Sequence, residues 1–256
     1  MFSDQVTKDI VDLAVQAGKV IMKYYQGEFE ITTKLDGSPV TTADFEAHKL
    51  IVKHLPKLVP DIEIISEEDE NPLREIRGDL YWLIDPLDGT RNFIKGNKNF
   101  AVNIGLVRDG QPIFGVIYLP VDQLAYYTSI DVAYKQYADG KIEQISSWYN
   151  PQDGVDIVTS RSSEAEQVRD FLEKYNVRHH FVVSSAVKLC MVSEAKANIY
   201  PCFSRTMAWD TAAGHAILRA AGGEIFLMNE EEKLVYDKRN MANPNFLAKG
   251  CECGRV

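Results

Sequence analysis

Residues 81–93 read Tyr81-Trp82-Leu83-Ile84-Asp85-Pro86-Leu87-Asp88-Gly89-Thr90-Arg91-Asn92-Phe93, and no other stretch narrows the possible folds as far. Its first four residues form an apolar run of the kind buried on both faces of a sheet. Asp85 is expected to end that strand, because Pro86 cannot donate to a ladder. Gly89 permits a tight turn and Thr90 can open a short helix. Asp85 and Asp88 would then project from one turn at the strand's C-terminal end, with the Gly89 and Thr90 amides facing the same space. Hard oxygens beside free amides suit a divalent cation and a phosphate together. A solvated Asx turn capping a helix accounts for one of the aspartates, but not for both at this spacing after an apolar strand.

Along the chain, Val6, Ile10, Leu13, Ala14, Ala17, Val20 and Ile21 fall at helical spacing, with Ser3 or Asp4 as the cap and Gly27 marking the end. Residues 29–33 alternate like a strand, and residues 34–39 carry loop chemistry. A helix after Asp44 carries Phe45, His48, Ile51, Val52 and Leu55 and is expected to stop at Pro56. Residues 62–65 read as a strand running into the acidic stretch Ser66-Glu67-Glu68-Asp69-Glu70, of which Asp69 and Glu70 read as solvated. Residues 100–107 and 112–119 read as strands joined at Asp109-Gly110, a hairpin signal. Residues 123–128 and 131–137 extend this antiparallel scaffold, and Asp139-Gly140 marks another turn.

After Trp148 the style changes, and the polar stretch 149–154 marks a junction. Strands at 155–159, 181–183 and 197–200 then alternate with helices. One helix is capped by a Ser163-to-Glu166 box and runs through Tyr175. A second is opened by Ser184-Ser185 and carries Lys188. A third carries Trp209, Ala212, Ala213, Ala216, Ile217 and Ala220 on one face and ends at Gly222-Gly223.

A formal net charge of −9 argues against non-specific nucleic-acid binding. An acidic protein acting on phosphates needs an intermediary cation. The four cysteines, Cys190, Cys202, Cys251 and Cys253, lack Cys-x-x-Cys spacing, so a reducing, cytoplasmic setting is expected. The first residues show no signal pattern and no apolar run approaches a membrane span. The five histidines form no ligand-spaced cluster. His215, one turn after Asp210, reads best as a hydrogen-bonded structural residue.

The string Asp85-Pro86-Leu87-Asp88-Gly89-Thr90, with Asn92-Phe93 behind it, resembles the first signature of the inositol monophosphatase superfamily. Trp209-Asp210-Thr211-Ala212-Ala213-Gly214 resembles the second. The resemblance runs from about Lys34 to about Gly223. It implies an α+β fold, a layered α-β-α-β-α sandwich. A mixed-sheet half (residues 1–148) would carry most metal ligands, and an α/β half (149–256) would carry Asp210 and the recognition residues. Glu67, Asp85, Asp88, Asp210 and the Leu87 carbonyl would hold two or three Mg2+ ions, with Glu68 second choice to Glu67. Asp44 and Thr90 would orient and deprotonate a water, and phosphate would rest on the Gly89 and Thr90 amides.

Within that superfamily the chain is most similar to the bacterial 3′(2′),5′-bisphosphate nucleotidases, on Lys34-x-Asp36-x-Ser38-Pro39-Val40-Thr41, Ser184-Ser185-x-x-Lys188-x-Cys190 and Tyr200-Pro201. This implies a lithium-sensitive phosphomonoesterase acting on adenosine 3′,5′-bisphosphate, with Ser184, Ser185, Lys188, Arg205 and Asp210 meeting the substrate. The alternatives are an inositol- or sugar-phosphate phosphatase of the same fold, and an inactive phosphate-binding regulator. A small-molecule partner, no nucleic acid, no integral membrane segment and compatibility with a homo-oligomer complete the expectation. The chain departs from the subfamily pattern before Trp209: Cys202 stands where an arginine is usual, Ala208 where a glutamate is usual, and an arginine occurs at Arg205. A Cys202→Arg substitution is therefore expected to improve bisphosphate hydrolysis.

Overall fold

The structure, a computed structural model, describes residues 2–161 and 165–252. Helix α1 (Asp4–Met22) begins at Ser3, whose side chain accepts from the Val6 amide, and buries Ile10, Leu13, Ala14, Ala17 and Ile21 along one face. It stops before Gly27, which closes a separate turn by donating to the Tyr24 carbonyl. A hairpin of β1 (Ile31–Thr33) and β2 (Pro39–Thr41) leads into α2 (Thr42–Leu58). That helix runs two residues past the expected stop. Pro56 lies in its last turn, where it removes a single donor, and the buried Leu55 anchors the turn to the core.

Seven strands follow: β3 (Glu63–Ser66), β4 (Leu80–Asp88), then, after the short helix α3 (Thr90–Ile94), β5 (Ala101–Arg108), β6 (Gln111–Leu119), β7 (Leu124–Ser129), β8 (Val132–Gln136) and β9 (Ile142–Ile145). They form one sheet in chain order, in which β3 and β4 are parallel and the remaining pairs antiparallel. Asp109 and Gly110, both at positive φ, make the β5–β6 turn. Strand β9 was not expected; it alternates exposed and half-buried residues and carries little apolar signal.

The second half supplies β10 (Val155–Thr159), α4 (Ala165–Leu172), β11 (Val177–Val182), α5 (Val187–Ser193), β12 (Ile199–Cys202), α6 (Ala208–Ala220), β13 (Glu224–Leu227) and β14 (Phe246–Lys249). Its sheet runs β11-β10-β12-β14-β13. β10 is parallel to β11 and β12, whereas β14 is antiparallel to β12 and β13. The half is therefore a mixed sheet rather than a purely parallel alternation. Strand β11 starts four residues before the expected 181–183, because Arg178, His179 and His180 are exposed on this edge and hide its pattern. Asp156 on β10 accepts from Arg178 and pairs with His179. Helix α5 starts at Val187 rather than at Ser184; Ser185 precedes it at φ 69°. The capping box expected for α4 rests on Ser163, which lies outside the described residues.

The layers are α1 and α2, the seven-stranded sheet, α5 and α6, the five-stranded sheet, and α4. Strand β4 shows why. Trp82 and Ile84 enter the core beneath α1 and α2, and Tyr81 and Leu83 pack with Trp209 and Leu218 of α6 on the opposite face. All four of these β4 residues are fully buried. Among the described residues, no helix is long and apolar enough to cross a membrane.

Helix α6 lies directly on strand backbone. A Cβ at Gly115 would sit 2.2 Å from the Ala213 carbonyl oxygen, and one at Gly105 2.8 Å from the Ala213 nitrogen. Gly115→Ala is therefore expected to push α6, and Asp210 with it, off the sheet. Overpacking of this kind costs about 1–3 kcal/mol. Calorimetry should show a fall in Tm of roughly 3–10 °C, accompanied by lost activity. An unchanged Tm would mean that α6 is free to shift.

Candidate active site

Asp85 does not end β4, as the sequence had suggested. The strand continues to Asp88 through an irregularity in which Asp85 pairs with Asn103 and Asp88 with Ala101. Pro86 is accommodated in this bulge, where a missing donor is tolerated. The bulge re-aims the segment: Asp85 is buried, Asp88 half-buried, and the Leu87 amide donates to Asp85 Oδ1 at 3.0 Å. Gly89 then takes φ 92°, and a side chain there would strike the Asn99 carbonyl at 2.7 Å.

Three carboxylates from three elements converge. Glu67 follows the end of β3, Asp85 lies on β4, and Asp210 lies in the first turn of α6. Their oxygens all lie within 4.8 Å of one another. Burial, then Glu67 and Asp88, push the carboxyls of Asp85 and Asp210 well above the usual range. Asp210 is held by the Met207 amide at 2.8 Å. Asp88 stands apart from the trio in this geometry: its Oδ2 accepts from the Ser185 hydroxyl and the Ala186 amide at the start of α5.

The Asp44–Thr90 pair is formed. Thr90 Oγ1 donates to Asp44 Oδ1 at 2.9 Å, with the Leu87 carbonyl 3.1 Å away, and Asp44 Oδ2 accepts from the Thr41 amide and hydroxyl at 2.8 and 2.6 Å. Asp44 is thus the closing carboxylate of an α2 capping box, and its position at a helix start serves two ends at once. Burial raises its pKa although these donors oppose the shift.

A cavity of about 190 Å³ beside the carboxylates is lined by Asp88, Ser185, Lys188, Tyr200, Arg205 and Asp210, among others. Lys188 is buried, donates to the Ser185 carbonyl at 2.7 Å and lies 5.1 Å from the Tyr200 ring centroid. Burial lowers its pKa, and Asp88 opposes that. Ser184, half-buried, does not line this cavity. Arg205 is exposed and also borders a wider cleft of about 620 Å³ with Leu35, Phe45, Glu67 and Trp209. Cys202, in contrast, is fully buried within the apolar core. An arginine there would carry a guanidinium into that core, so in this chain Cys202→Arg is expected to cost stability rather than to improve bisphosphate hydrolysis. Ala208 is buried at the start of α6.

Sequence reasoning missed Lys34 as a site residue. Its ammonium bridges Glu67 at 2.8 Å and Glu68 at 2.7 Å. Burial opposes its charge, but the two glutamates hold its pKa above the usual value. For Glu68 burial wins: with Glu67 beside it, the carboxyl is pushed up to about 7 despite Lys34. A single lysine in a loop carries no sequence signal for such a role. Asp69 is not simply solvated, since it accepts from the Ser66 amide and from Arg74. His215 is structural: fully buried, it pairs with Glu224 at 2.6 Å and with the Tyr236 hydroxyl at 3.2 Å. Cys190 and Cys202 are buried free thiols, and Cys253 lies outside the described residues.

These residues fit a cation site. The donors are all oxygen, as hard divalent ions require. Their mutual repulsion is relieved by bound positive charge. Next to Asp85 across the β4–β5 ladder, the fully buried Asn103 has neither amide atom hydrogen-bonded among the described residues. A lone polar residue inside the apolar run 100–107 was the available sequence signal.

Comparison with known proteins agrees with this geometry. Residues 3–252 match the profile of the inositol monophosphatase family. The 3′(2′),5′-bisphosphate nucleotidase CysQ of Salmonella typhimurium is 38% identical over 244 residues, covering 93% of this chain and 97% of that protein. CysQ of Escherichia coli K12 is 37% identical over 242 residues, covering 93% and 96%. The crystal structure of CysQ from Bacteroides thetaiotaomicron, described as a bacterial member of the same family, superposes with a TM-score of 0.80 at 34% identity, covering 97% of this chain and 98% of that one. A Thermotoga maritima IMPase shares the fold, with a TM-score of 0.77 at 24% identity, over 94% and 91%. The chain belongs to the inositol monophosphatase family.

Proposed function

We propose that this chain is a magnesium-dependent phosphomonoesterase that removes the 3′-phosphate of adenosine 3′,5′-bisphosphate, and that 3′-phosphoadenylyl sulfate is a further substrate. The observation that carries the reading is the convergence of Glu67, Asp85 and Asp210, with the Asp44–Thr90 pair formed nearby and Lys188 and Arg205 lining the adjoining cavity. The relatives named as nucleotidases at 37–38% identity support the substrate. The reading keeps residues 1–148 and 149–256 as two halves with the site at their junction. It also places the enzyme in a reducing, cytoplasmic compartment.

Two or three Mg2+ ions, held by Glu67, Asp85, Asp88, Asp210 and the Leu87 carbonyl, supply charge neutralisation and water activation when bound. The chain's own part is proton handling and placement. Thr90, donating to Asp44, keeps oxygen lone pairs free to accept from a water. The water's proton passes through Thr90 to Asp44, whose raised pKa makes it the better base. The water oxygen attacks phosphorus in line, the bond to the 3′ oxygen breaks, and that oxygen takes a proton from solvent. The Gly89 and Thr90 amides cradle phosphate oxygens. Lys188, Ser185 and Arg205 meet the phosphate that does not react; Ser184, outside that cavity, is left without this role.

Arg205→Ala tests the recognition half of this reading. A charged contact to phosphate is worth roughly 1.5–3 kcal/mol. kcat/KM on adenosine 3′,5′-bisphosphate should fall by about one to two decades, with little change on a sugar monophosphate. Equal loss on both substrates would remove Arg205 from recognition. Lithium at about millimolar concentration should inhibit, because a labile, oxygen-ligated position at Asp85, Asp88 and Asp210 can accept it. Full turnover under lithium at saturating magnesium would argue against the nucleotidase assignment.

A further inference from the structure

We propose that Asn103 is a positioning residue of the cation site, holding the Asp85 carboxylate in its ligating orientation through one ordered water. The inference rests on the cation reading above. In the β4–β5 ladder Asp85 pairs with Asn103, Ile84 with Ile104, and Leu83 with Gly105. Cross-strand partners share a face of the sheet, with Cβ atoms about 5 Å apart. Ile84 and Ile104 enter the core beneath α1 and α2, whereas Gly105 abuts Ala213 of α6. Alternation therefore puts Asp85 and Asn103 together on the α6 face, the face from which Asp210 approaches.

Asn103 is fully buried, and neither its Nδ2 nor its Oδ1 has a hydrogen-bond partner among the described residues. Its partner on the opposite side, Ile117 of β6, is apolar and offers none. A buried amide in this state is unfavourable, and natural proteins rarely keep one without a use. Among the described residues, Asp85 has only Oδ1 engaged by a protein donor, the Leu87 amide. An amide donor directly opposite in the ladder is suitably placed to orient the carboxylate. Groups behind a ligand that orient it commonly govern metal affinity.

The test is calorimetric titration of the full-length protein with magnesium chloride, without substrate, together with thermal unfolding in chelator. Asn103→Leu keeps the branched shape and removes the amide; Asn103→Ser keeps one polar atom. Asn103→Leu should bind magnesium about tenfold more weakly than wild type, and Asn103→Ser should lie between them. Unfolding in chelator should be unchanged or shifted upward for Asn103→Leu, since an unpartnered buried amide is lost. Affinity within about twofold of wild type in Asn103→Leu overturns the proposal. So does an equal loss in both variants matched by an equally lowered Tm in chelator, which is the signature of a purely structural residue. If Asn103→Leu does not fold, Asn103→Ser is judged against wild type by the same criterion. A wild-type protein that takes up no magnesium overturns the cation reading itself, an outcome distinct from failure of Asn103 alone.

Discussion

Asp85→Asn is expected to abolish phosphate release while making the cation-free protein harder to unfold. The two effects have one cause. Asp85 is a buried carboxyl with Glu67, Asp88 and Asp210 close by. Without a cation its charge is a liability; on the proposed reading it becomes a ligand when a cation binds. Asparagine keeps the shape and the acceptor for the Leu87 amide but removes the charge. Losing one charged ligand of a metal-held transition state should lower kcat/KM by about 10³-fold, roughly 4 kcal/mol.

The stability half has a definite sign. A carboxyl whose folded pKa is raised contributes stability that is complete below its unfolded pKa of about 4 and is lost as pH rises through the folded value. Wild type in chelator should therefore lose stability as pH climbs from about 4, and Asp85→Asn should flatten that slope. At neutral pH its Tm should stand a few degrees above wild type. Paired activity assays and pH-dependent thermal scans in chelator check both halves. A folded variant with near-normal turnover, or one less stable than wild type in chelator, would contradict the assignment.

Thr90→Val should also silence the enzyme, by another route. The substitution is nearly isosteric and removes only the hydroxyl between Asp44 and the water site. The N-cap of α3 is Gly89 and no side chain caps that helix, so its start does not depend on the hydroxyl. Asp44 loses one of its donors, worth about 1–2 kcal/mol of stability, and keeps both bonds from Thr41. Loss of general-base assistance should lower kcat by about 10²–10⁴-fold with KM nearly unchanged. Thr90→Ser should restore most of the activity. If serine fails as badly as valine, the hydroxyl is not the working group.

What could be read from the sequence followed physical period and chemistry. Trp82 and Leu83 in an apolar run announced a strand buried on both faces, and Asp109-Gly110 announced a hairpin. Carboxylates at the ends of apolar segments announced the site, because buried charge needs a reason. What escaped was set by tertiary context. The β4 bulge keeps the strand going past Pro86, and no local rule counts an irregularity that depends on the Asp85–Asn103 and Asp88–Ala101 pairings. Strand β11 was truncated because an edge strand tolerates Arg178, His179 and His180 in exposed positions. Strands β13 and β14 lie in a stretch, 224–249, for which no element was assigned; Phe246, Leu247 and Ala248 are buried there all the same. Cys202 was misjudged because a motif position says which residue is usual, not which way its side chain points. Lys34 was missed because an ion pair across more than thirty residues has no sequence period.

The most direct test of the account is released phosphate from adenosine 3′,5′-bisphosphate and from inositol 1-phosphate, measured side by side over a magnesium titration. Turnover should be absent in chelator, rise with magnesium, and favour the bisphosphate in kcat/KM. Magnesium-independent turnover, or a wide preference for inositol 1-phosphate, would contradict it.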